Sequence, residues 1–382
     1  MSDSAGSLLQ AWARRGVTQP IDRPVPSDDA AFLAKKGAPK IAFRVAKHRL
    51  ELAASGQRVL LAERIDPGWV RAVWFHAEAP QIGDALMDLA PRSLFAARGV
   101  ALDLVAPARI ASVFRGDRWF ARVIGDRREV VAAYYDVAIV DSVSWRALAA
   151  KRAVAPRLPW VTVLGDYLAY DFQRGSFAAR RLAALLQMQL DPAAERLHAR
   201  QKLQRAGDVE VVRDDPPRIA IALGGVRAER TYGHWPAVAQ ALRAAGHTRF
   251  ALLGSDNAKA AAAAVKAAIP GADVLDLVAA TDLHGTQQAM ARCALVLCAD
   301  GGLLHLACTT TTPTVALFDA SIDPAWRLPV DDAITSLRCA QPDVSGVAAG
   351  LVAERALALL GRPAVLPSGA SAGGAGSAGE IR

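Results

Sequence analysis

Cysteine is scarce in this chain of 382 residues, which contains only Cys293, Cys298, Cys308 and Cys339. No two of them form a CxxC pair and no zinc-finger spacing occurs, which counts against a disulfide framework and against a structural metal site. We therefore expect reduced, buried thiols that pack as small apolar residues. Because thiols stay reduced in the cytosol, the sequence predicts a cytoplasmic protein.

Several other signals are missing as well. No apolar segment follows Met1, so no signal peptide is expected, and no run approaches the ~18 apolar residues of a membrane span. The fingerprints GxGxxG and GxxxxGK[ST] are absent, which argues against a dinucleotide dehydrogenase and a P-loop NTPase. There is no nucleic-acid-binding motif and no carboxylate cluster that suggests a metal site.

The overall composition is that of a folded protein. Hydrophobic residues make up 52% and charged residues 21% of the sequence, enough for two domains with their own cores. The formal net charge is +8. That excess suits a phosphate-bearing ligand or an anionic membrane surface.

Two series of short apolar strands alternate with helical segments, the pattern of parallel sheets in an α/β protein. We expect a polar and basic extension over residues 1–66, whose first 30 residues form a loosely ordered arm. A charged segment with two prolines at 205–217 predicts a linker between the two domains. The predicted units are 1–66, 67–205, 206–362 and a disordered Ser/Gly/Ala tail at 363–382. Strands are expected at 71–75, 101–105, 137–140, 160–164, 218–223, 250–253, 274–277, 295–298 and 314–318.

A basic segment spans residues 34–52, with no acidic residue between Asp29 and Glu51. Its apolar residues recur at helical spacing. One interpretation is a helix that lies on anionic lipid or on a partner. The other is a solvated helix packed against the domain.

The most informative turn follows the apolar strand at 294–298. Asp300 is succeeded by Gly301, Gly302 and Leu303, and an apolar helical segment begins there. Glycines let a ligand approach the backbone, and the first turn of a helix offers free N–H groups. This turn therefore predicts an anion-binding site. His305 follows within the helix, where it either contacts the ligand or has a purely structural role.

A second glycine turn lies at 223–230, after the first strand of the second domain. Gly224 could admit a diphosphate, with Arg227 or Arg230 neutralising its charge. The alternative is an ordinary loop with surface arginines. Ser255, after the next strand, either contacts a nucleoside or caps a helix.

Gly83 and Asp84 follow the first strand, at the edge of the sheet where ligand clefts form in doubly wound domains. An acid in the first turn of a helix is stabilised by the helix dipole. It can also act as a general base towards a substrate hydroxyl.

Together these segments resemble glycosyltransferase family 9, the heptosyltransferases of lipopolysaccharide core assembly. The most specific motif is acid-x-Gly-x-x-His-x-Ala, then a proline-led strand, Leu-Phe and Asp-Pro. Two further motifs are a Gly-Asp turn near the N-terminus and a donor-phosphate loop that ends in Trp-Pro. The resemblance covers about residues 69–362. The matching segments are 300–307, 313–318 and 323–324 for the first motif, 82–87 for the Gly-Asp turn and 223–236 for the loop.

The resemblance implies two Rossmann-like domains that face each other across a cleft, the GT-B arrangement. The first would bind a glycan or glycolipid acceptor and the second a nucleotide-diphosphate sugar, usually ADP-linked. It implies inverting, metal-independent transfer with Asp84 as the base. The implied donor site comprises Gly224, Arg227, Arg230, Ser255, Asp300, Gly301, Gly302, Leu303 and His305.

Three positions depart from the family pattern. Gly301 stands where the family often has threonine or serine, Gly233 where a phosphate-binding lysine or arginine is usual, and Asp319 where glycine follows Leu-Phe. Arg227 or Arg230 would have to replace the missing cation. The departures keep open a catalytically weak nucleotide-sugar-binding or assembly protein, and the acceptor could also be a protein.

Overall fold

The computed structural model describes residues 2–77, 81–208, 211–331 and 333–361. Over these residues the chain forms two parallel β-sheets with helices on both faces, which confirms the predicted α/β class with two Rossmann-like units. The predicted tail at 363–382 lies outside the described residues.

The N-terminal sheet has five strands in the order β3-β2-β1-β4-β5, all parallel. Its central strands are largely apolar because helices cover both of their faces, and the buried exception, Asp103 of β2, accepts a hydrogen bond from Tyr135. Strand β3 was not predicted, and it is short and lies at the edge. The strands are β1 Arg71–Phe75, β2 Ala101–Val105, β3 Arg122–Ile124, β4 Val137–Val140 and β5 Trp160–Thr162.

Nine α-helices accompany this sheet in the described part of the chain. They are α1 Ser2–Val17, α2 Asp29–Lys36, α3 Ala38–Ala54, α4 Ile82–Asp88, α5 Ser93–Ala97, α6 Ala108–Phe114, α7 Trp145–Val154, α8 Arg174–Leu185 and α9 Pro192–Ala199.

The prediction of a loosely ordered arm over the first 30 residues is wrong. Helices α1 and α3 pack closely, and a Cβ at Gly16 would overlap the side chain of Ile41. Backbone hydrogen bonds tie the segment to the first domain, since Leu168 N–H donates to Gly16 O and Asp28 N–H to Asp171 O. The proline count had suggested disorder, but the apolar faces of these helices are buried against the domain.

The basic segment is two helices rather than one, because Gly37 between α2 and α3 has a left-handed φ of 80°. One face of α3 is buried through Ile41, Val45 and Leu52. Packing of this segment against the domain is confirmed, while the contact of its exposed face with lipid or a partner stays a prediction.

The C-terminal sheet has six parallel strands in the order β11-β10-β9-β6-β7-β8. Strand β11 was not predicted, because an edge strand with one buried residue lacks the apolar run that marks a central strand. The strands are β6 Ile219–Ala222, β7 Arg249–Leu253, β8 Asp273–Asp276, β9 Leu295–Ala299, β10 Thr314–Phe318 and β11 Ile334–Arg338. The helices are α10 Trp235–Ala244, α11 Lys259–Ala268, α12 Leu283–Arg292, α13 Gly302–Ala307 and α14 Ala349–Leu360.

The two sheets meet through the helices that follow β1 and β9. Helix α4 packs on α13, and a single apolar core continues from one sheet to the other. Gln287 Nε2 donates to Leu203 O at 2.9 Å, and Arg200 Nη2 donates to Thr310 O at 2.7 Å. The carboxyl ends of the central strands therefore face each other, where doubly wound domains bind ligands. The boundaries at 66, 205 and 362 stay predictions.

Candidate functional site

The turn after β9 leaves open space beside its backbone. Asp300 is buried, and its N–H donates to Leu317 O at 2.9 Å. A Cβ built on Gly301 or Gly302 would meet no atom within 4 Å. Helix α13 has only six residues, so its dipole is small and the free N–H groups around Gly302 and Leu303 are its main attraction for an anion.

The two arginines predicted for the donor loop behave differently. Arg230 reaches the turn, with Nη1 3.0 Å from Oδ2 of Asp300, although the pair is not aligned as a hydrogen bond. The Arg227 side chain is 65% exposed, and within the described ranges its one ion pair is with Glu229, at 3.8 Å. The structure thus brings Arg230 to the predicted diphosphate site and leaves Arg227 outside it.

Gly224 and Ser255 lie in adjacent turns at the carboxyl ends of β6 and β7. Gly224 has a left-handed φ of 80°, which a side chain would strain. Asn257 Nδ2 donates to Gly225 O at 2.8 Å and links the turns. Ser255 Oγ donates to Asn257 Oδ1 at 2.7 Å. Ser255 holds the N-cap position of a short 3-10 helix at Asp256–Ala258, as the capping alternative expects, but its side chain makes no capping hydrogen bond. Ser255 and Asn257 are both exposed, and their contact with a nucleoside stays a prediction.

His305 lies between the domains. Only 4% of the residue is exposed, and Nδ1 lies 3.1 Å from Gln201 Oε1. Burial lowers the pKa of His305 to about 4, so the imidazole is neutral near pH 7. A Cβ on Gly83 would overlap its ring. The histidine therefore packs the donor turn against the Gly83–Asp84 turn, and its predicted contact with the donor stays a prediction.

Asp84 lies in the first turn of α4, and its side chain is 29% exposed. Arg174, at the start of α8, places Nη1 3.4 Å from Oδ1 of Asp84. Its Nε donates to Asp88 Oδ1 at 2.8 Å, and Nη2 donates to Asp88 Oδ2. Burial opposes the charge on Arg174, but Asp88 and Asp84 together raise its pKa. Arg174, held in place by Asp88, therefore sets a cation beside the candidate base.

Sequence reasoning missed Arg174, which lies 90 residues after Asp84 in a segment rich in arginine. One signal was available. Arg174 opens the helix after β5, so it lies at the same sheet edge as Asp84, which opens the helix after β1.

A buried hydrogen-bonded cluster lies behind this pair. His76 Nδ1 is 3.2 Å from Asp141 Oδ1, and Trp74 Nε1 donates to the same oxygen at 3.0 Å. Burial lowers the pKa of His76, but Asp141 more than offsets it, and the net shift is upward. The pKa of Asp88 is raised, chiefly by burial and against the effect of Arg174. The buried groups beneath the partly exposed carboxylate of Asp84 thus form two pairs, His76 with Asp141 and Arg174 with Asp88.

Two further observations concern metals and membranes. Within the ranges the structure describes, no three His, Cys, Asp or Glu side chains are grouped so that they could hold a metal ion. In the same ranges no helix is both long enough and apolar enough to cross a membrane.

All four cysteines are free, and burial raises the pKa of Cys293 and Cys308 to about 12.

Solved structures share this architecture. A glycosyl transferase family 9 protein from Veillonella parvula DSM 2008 superposes with a TM-score of 0.61 at 14% identity, covering 78% of this chain and 99% of that one. The ADP-heptose lps heptosyltransferase II of E. coli superposes with a TM-score of 0.55 at 20% identity, covering 76% of this chain and 98% of that one. E. coli heptosyltransferase WaaC with ADP superposes with a TM-score of 0.55 at 17% identity, covering 76% of this chain and 100% of that one. No curated protein matches the sequence.

The fold is therefore that of the GT-B glycosyltransferases, and the chain is a glycosyltransferase. Residues 162–345 match the sequence profile of glycosyltransferase family 9 (heptosyltransferase), which confirms the predicted resemblance. The matched span contains Arg174, the donor loop and the Asp300 turn. Asp84 lies outside it.

Proposed function

We propose that the chain is an inverting, metal-independent glycosyltransferase that moves a sugar from a nucleotide diphosphate to a hydroxyl of a lipopolysaccharide or related glycan. One observation carries this proposal: the Gly83–Asp84 turn and the Asp300 turn pack directly on each other through His305. A base and an anion-binding turn, each at the carboxyl end of its own sheet, then serve a single cleft.

In the proposed reaction Asp84 accepts the proton of the acceptor hydroxyl as its oxygen attacks the anomeric carbon. The new glycosidic bond forms while the bond from that carbon to the diphosphate oxygen breaks, which inverts the configuration. One carboxylate suffices, because no covalent glycosyl-enzyme intermediate is needed. Arg174 Nη1, 3.4 Å from Oδ1 of Asp84, would hold the carboxylate in position for this step.

The leaving diphosphate gains negative charge as that bond breaks. Arg230, together with N–H groups at Gly302 and Leu303, would stabilise it in place of a metal ion. Arg230 can exchange its contact with Asp300 for one with phosphate, because its side chain remains 26% exposed. The donor is proposed to be ADP-linked heptose, by analogy with the E. coli heptosyltransferases of the same fold.

A second candidate is a nucleotide-sugar-binding or assembly protein with weak catalysis. Gly233 contributes no cation, and its N–H donates to Ser345 Oγ at 3.1 Å instead. Gly301 supplies no hydroxyl at the donor turn. Such a site would bind the nucleotide through Arg230 alone and would stabilise the leaving group less.

A donor screen separates the candidates. We expect ADP-sugars to raise the melting temperature of the full chain more than UDP- or GDP-sugars, because a ligand of the native state stabilises it. A turnover assay with lipopolysaccharide-core acceptors should release ADP. Binding without turnover on any glycan or protein acceptor would favour the second candidate, and no nucleotide binding at all would contradict both.

We also propose that the protein is cytoplasmic and works at the inner face of an anionic membrane. The exposed face of α3 presents Phe43 and Leu50, which are 72% and 71% exposed and two helical turns apart. Lys40, Arg44 and Lys47 flank them. An apolar strip bordered by basic residues is typical of helices that lie on anionic lipid.

Vesicle sedimentation tests this location. The full chain should bind vesicles of phosphatidylcholine with 30% phosphatidylglycerol and release them in high salt. Phe43→Ser with Leu50→Ser should weaken binding without lowering turnover on a soluble acceptor. Equal binding to neutral vesicles would contradict the proposal.

A further inference from the structure

A cavity of about 590 Å³ lies between the N-terminal helices and the carboxyl end of β5. Thr162, the last residue of β5, and Gly165 form part of its wall on the domain side. The loop after α1 and residues of α3 form the opposite wall. The cavity therefore lies between the N-terminal segment and the domain, at the same end of the sheet as Asp84.

Guanidinium groups dominate its charged lining. Arg15, Arg49, Arg58 and Arg181 line the cavity, against the carboxylates of Asp166 and Glu63. Asp166 is already engaged, since Arg49 Nε lies 3.0 Å from both of its oxygens and Arg15 Nε lies 3.3 Å from Oδ2. The cavity thus retains an excess of positive charge.

Arg181 is the more buried of the two lining arginines that form no ion pair among the described residues; the other, Arg58, is exposed. Among the described residues no carboxylate lies within 4.0 Å of Arg181, and its Nε and Nη1 donate to the carbonyl oxygens of Thr162 and Pro20 at 3.2 and 3.4 Å. Burial lowers the pKa of its guanidinium. A half-buried guanidinium that meets only carbonyl oxygens keeps its full charge, and a bound anion would compensate it.

Helix α8 connects the cavity to the proposed active site. Arg174, beside Asp84, and Arg181 are seven residues apart, so they lie on nearly the same face at a separation of about 10.5 Å along the axis. Strand β4 separates β1 from β5, which gives a similar spacing of about 9.6 Å across the sheet. One extended molecule can therefore reach both arginines.

We propose that this cavity binds an oxyanion, a carboxylate or a phosphate, carried by the glycan acceptor and distant from the attacking hydroxyl. The N-terminal helices would then be an acceptor-specificity element. The link to an acceptor rests on the proposed glycosyl transfer, whereas the binding of an oxyanion does not.

Calorimetry on the full chain at constant ionic strength tests the proposal with glucuronate, glucose 1-phosphate, inorganic phosphate and neutral glucose. We expect at least one of the two sugar anions to bind and glucose not to bind. Arg181→Gln should weaken that binding by about 10- to 100-fold, the loss typical of a hydrogen bond to a charged group. Arg157→Gln, which removes an exposed arginine at the other end of β5, is the matched control and should bind normally.

Arg58→Gln gives a second test should Arg181→Gln fail to fold, since Arg58 is exposed and its loss disturbs no buried pair. Equal affinities in the Gln variants and in Arg157→Gln would overturn the proposal, as would binding of glucose. Binding of inorganic phosphate but of neither sugar anion would overturn the assignment to an acceptor. ADP binding, measured in parallel, should be unchanged, so failure of this cavity and failure of the donor site are distinguishable.

Discussion

Two glycine turns in this protein have the same local sequence logic and opposite surroundings. Gly83 and Gly301 each follow a central parallel strand, adjoin an aspartate and lie at the start of a short helix. At Gly83 there is no room for a Cβ, because the ring of His305 occupies that space. At Gly301 the space is empty. One glycine therefore permits close packing of two domains, and the other leaves room for a ligand.

The acids of the two turns differ in the same way. Asp84 is partly exposed beside Arg174, whereas Asp300 is buried beside Arg230. A partly exposed carboxylate can exchange a proton with a substrate, while a buried carboxylate can only orient its partner. This difference is consistent with the proposed roles, proton transfer at the first turn and phosphate binding at the second.

Replacement of the exposed acid should have the largest effect. Asp84→Asn keeps the shape of the side chain but removes the base, so we expect turnover to fall by ~10²–10⁴. ADP binding should be unchanged, because the donor turn lies on the other domain. Initial rates and calorimetry measure the two quantities, and a variant with full turnover would remove Asp84 from the proposed mechanism.

The buried histidine between the turns should make stability depend on pH. Its folded pKa of about 4 lies below the ordinary value of 6.5, so the unfolded chain binds the proton first as the pH falls. The contribution of His305 is full above pH 6.5 and is lost towards pH 4, by up to about 3 kcal/mol. Urea unfolding at pH 4.5, 5.5 and 7 measures it.

His305→Gln should flatten this dependence between pH 4 and 6.5. His76→Gln is the control, because the pKa of His76 is raised and its contribution is instead lost as the pH rises above the ordinary value. An unchanged slope in the His305 variant would show that other groups cause the dependence.

Alanine substitutions at Gly83 in the first turn and at Gly302 in the second compare the two turns directly. Gly83→Ala should lower the free energy of unfolding by about 1–3 kcal/mol, since it forces a methyl group into a packed interface. Gly302→Ala, at an exposed position with open space, should change it by less than about 1 kcal/mol. Equal losses at both sites would mean that the turns do not differ as described.

The smallest expected effect is a gain. Gly301 has an extended backbone with φ of 161°, which any residue can adopt. Gly301→Ser restores the hydroxyl that family 9 often has there, and one added hydrogen bond should tighten ADP binding by about 2- to 10-fold. Calorimetry measures the gain, with Gly302→Ser as the control. Weaker binding in Gly301→Ser would indicate that the phosphate does not lie at this turn.

Much of the fold followed from local sequence. Apolar runs of four or five residues located the central strands, because a strand covered on both faces must be apolar throughout. The edge strands β3 and β11 escaped prediction, since a half-exposed strand has no such run. The proline-rich N-terminal segment was misjudged for a related reason: its helices are stabilised by the domain they cover.

The sequence by itself determined the two parallel sheets, the strand–turn–helix motifs and the positions of Asp84 and Asp300, because these depend on neighbours along the chain. Only the tertiary structure decided which glycine is packed and which is open, that Arg230 rather than Arg227 meets Asp300, and that Arg174 lies beside Asp84. These choices depend on side chains separated by tens to hundreds of residues, and their proximity follows from how the helices and sheets pack.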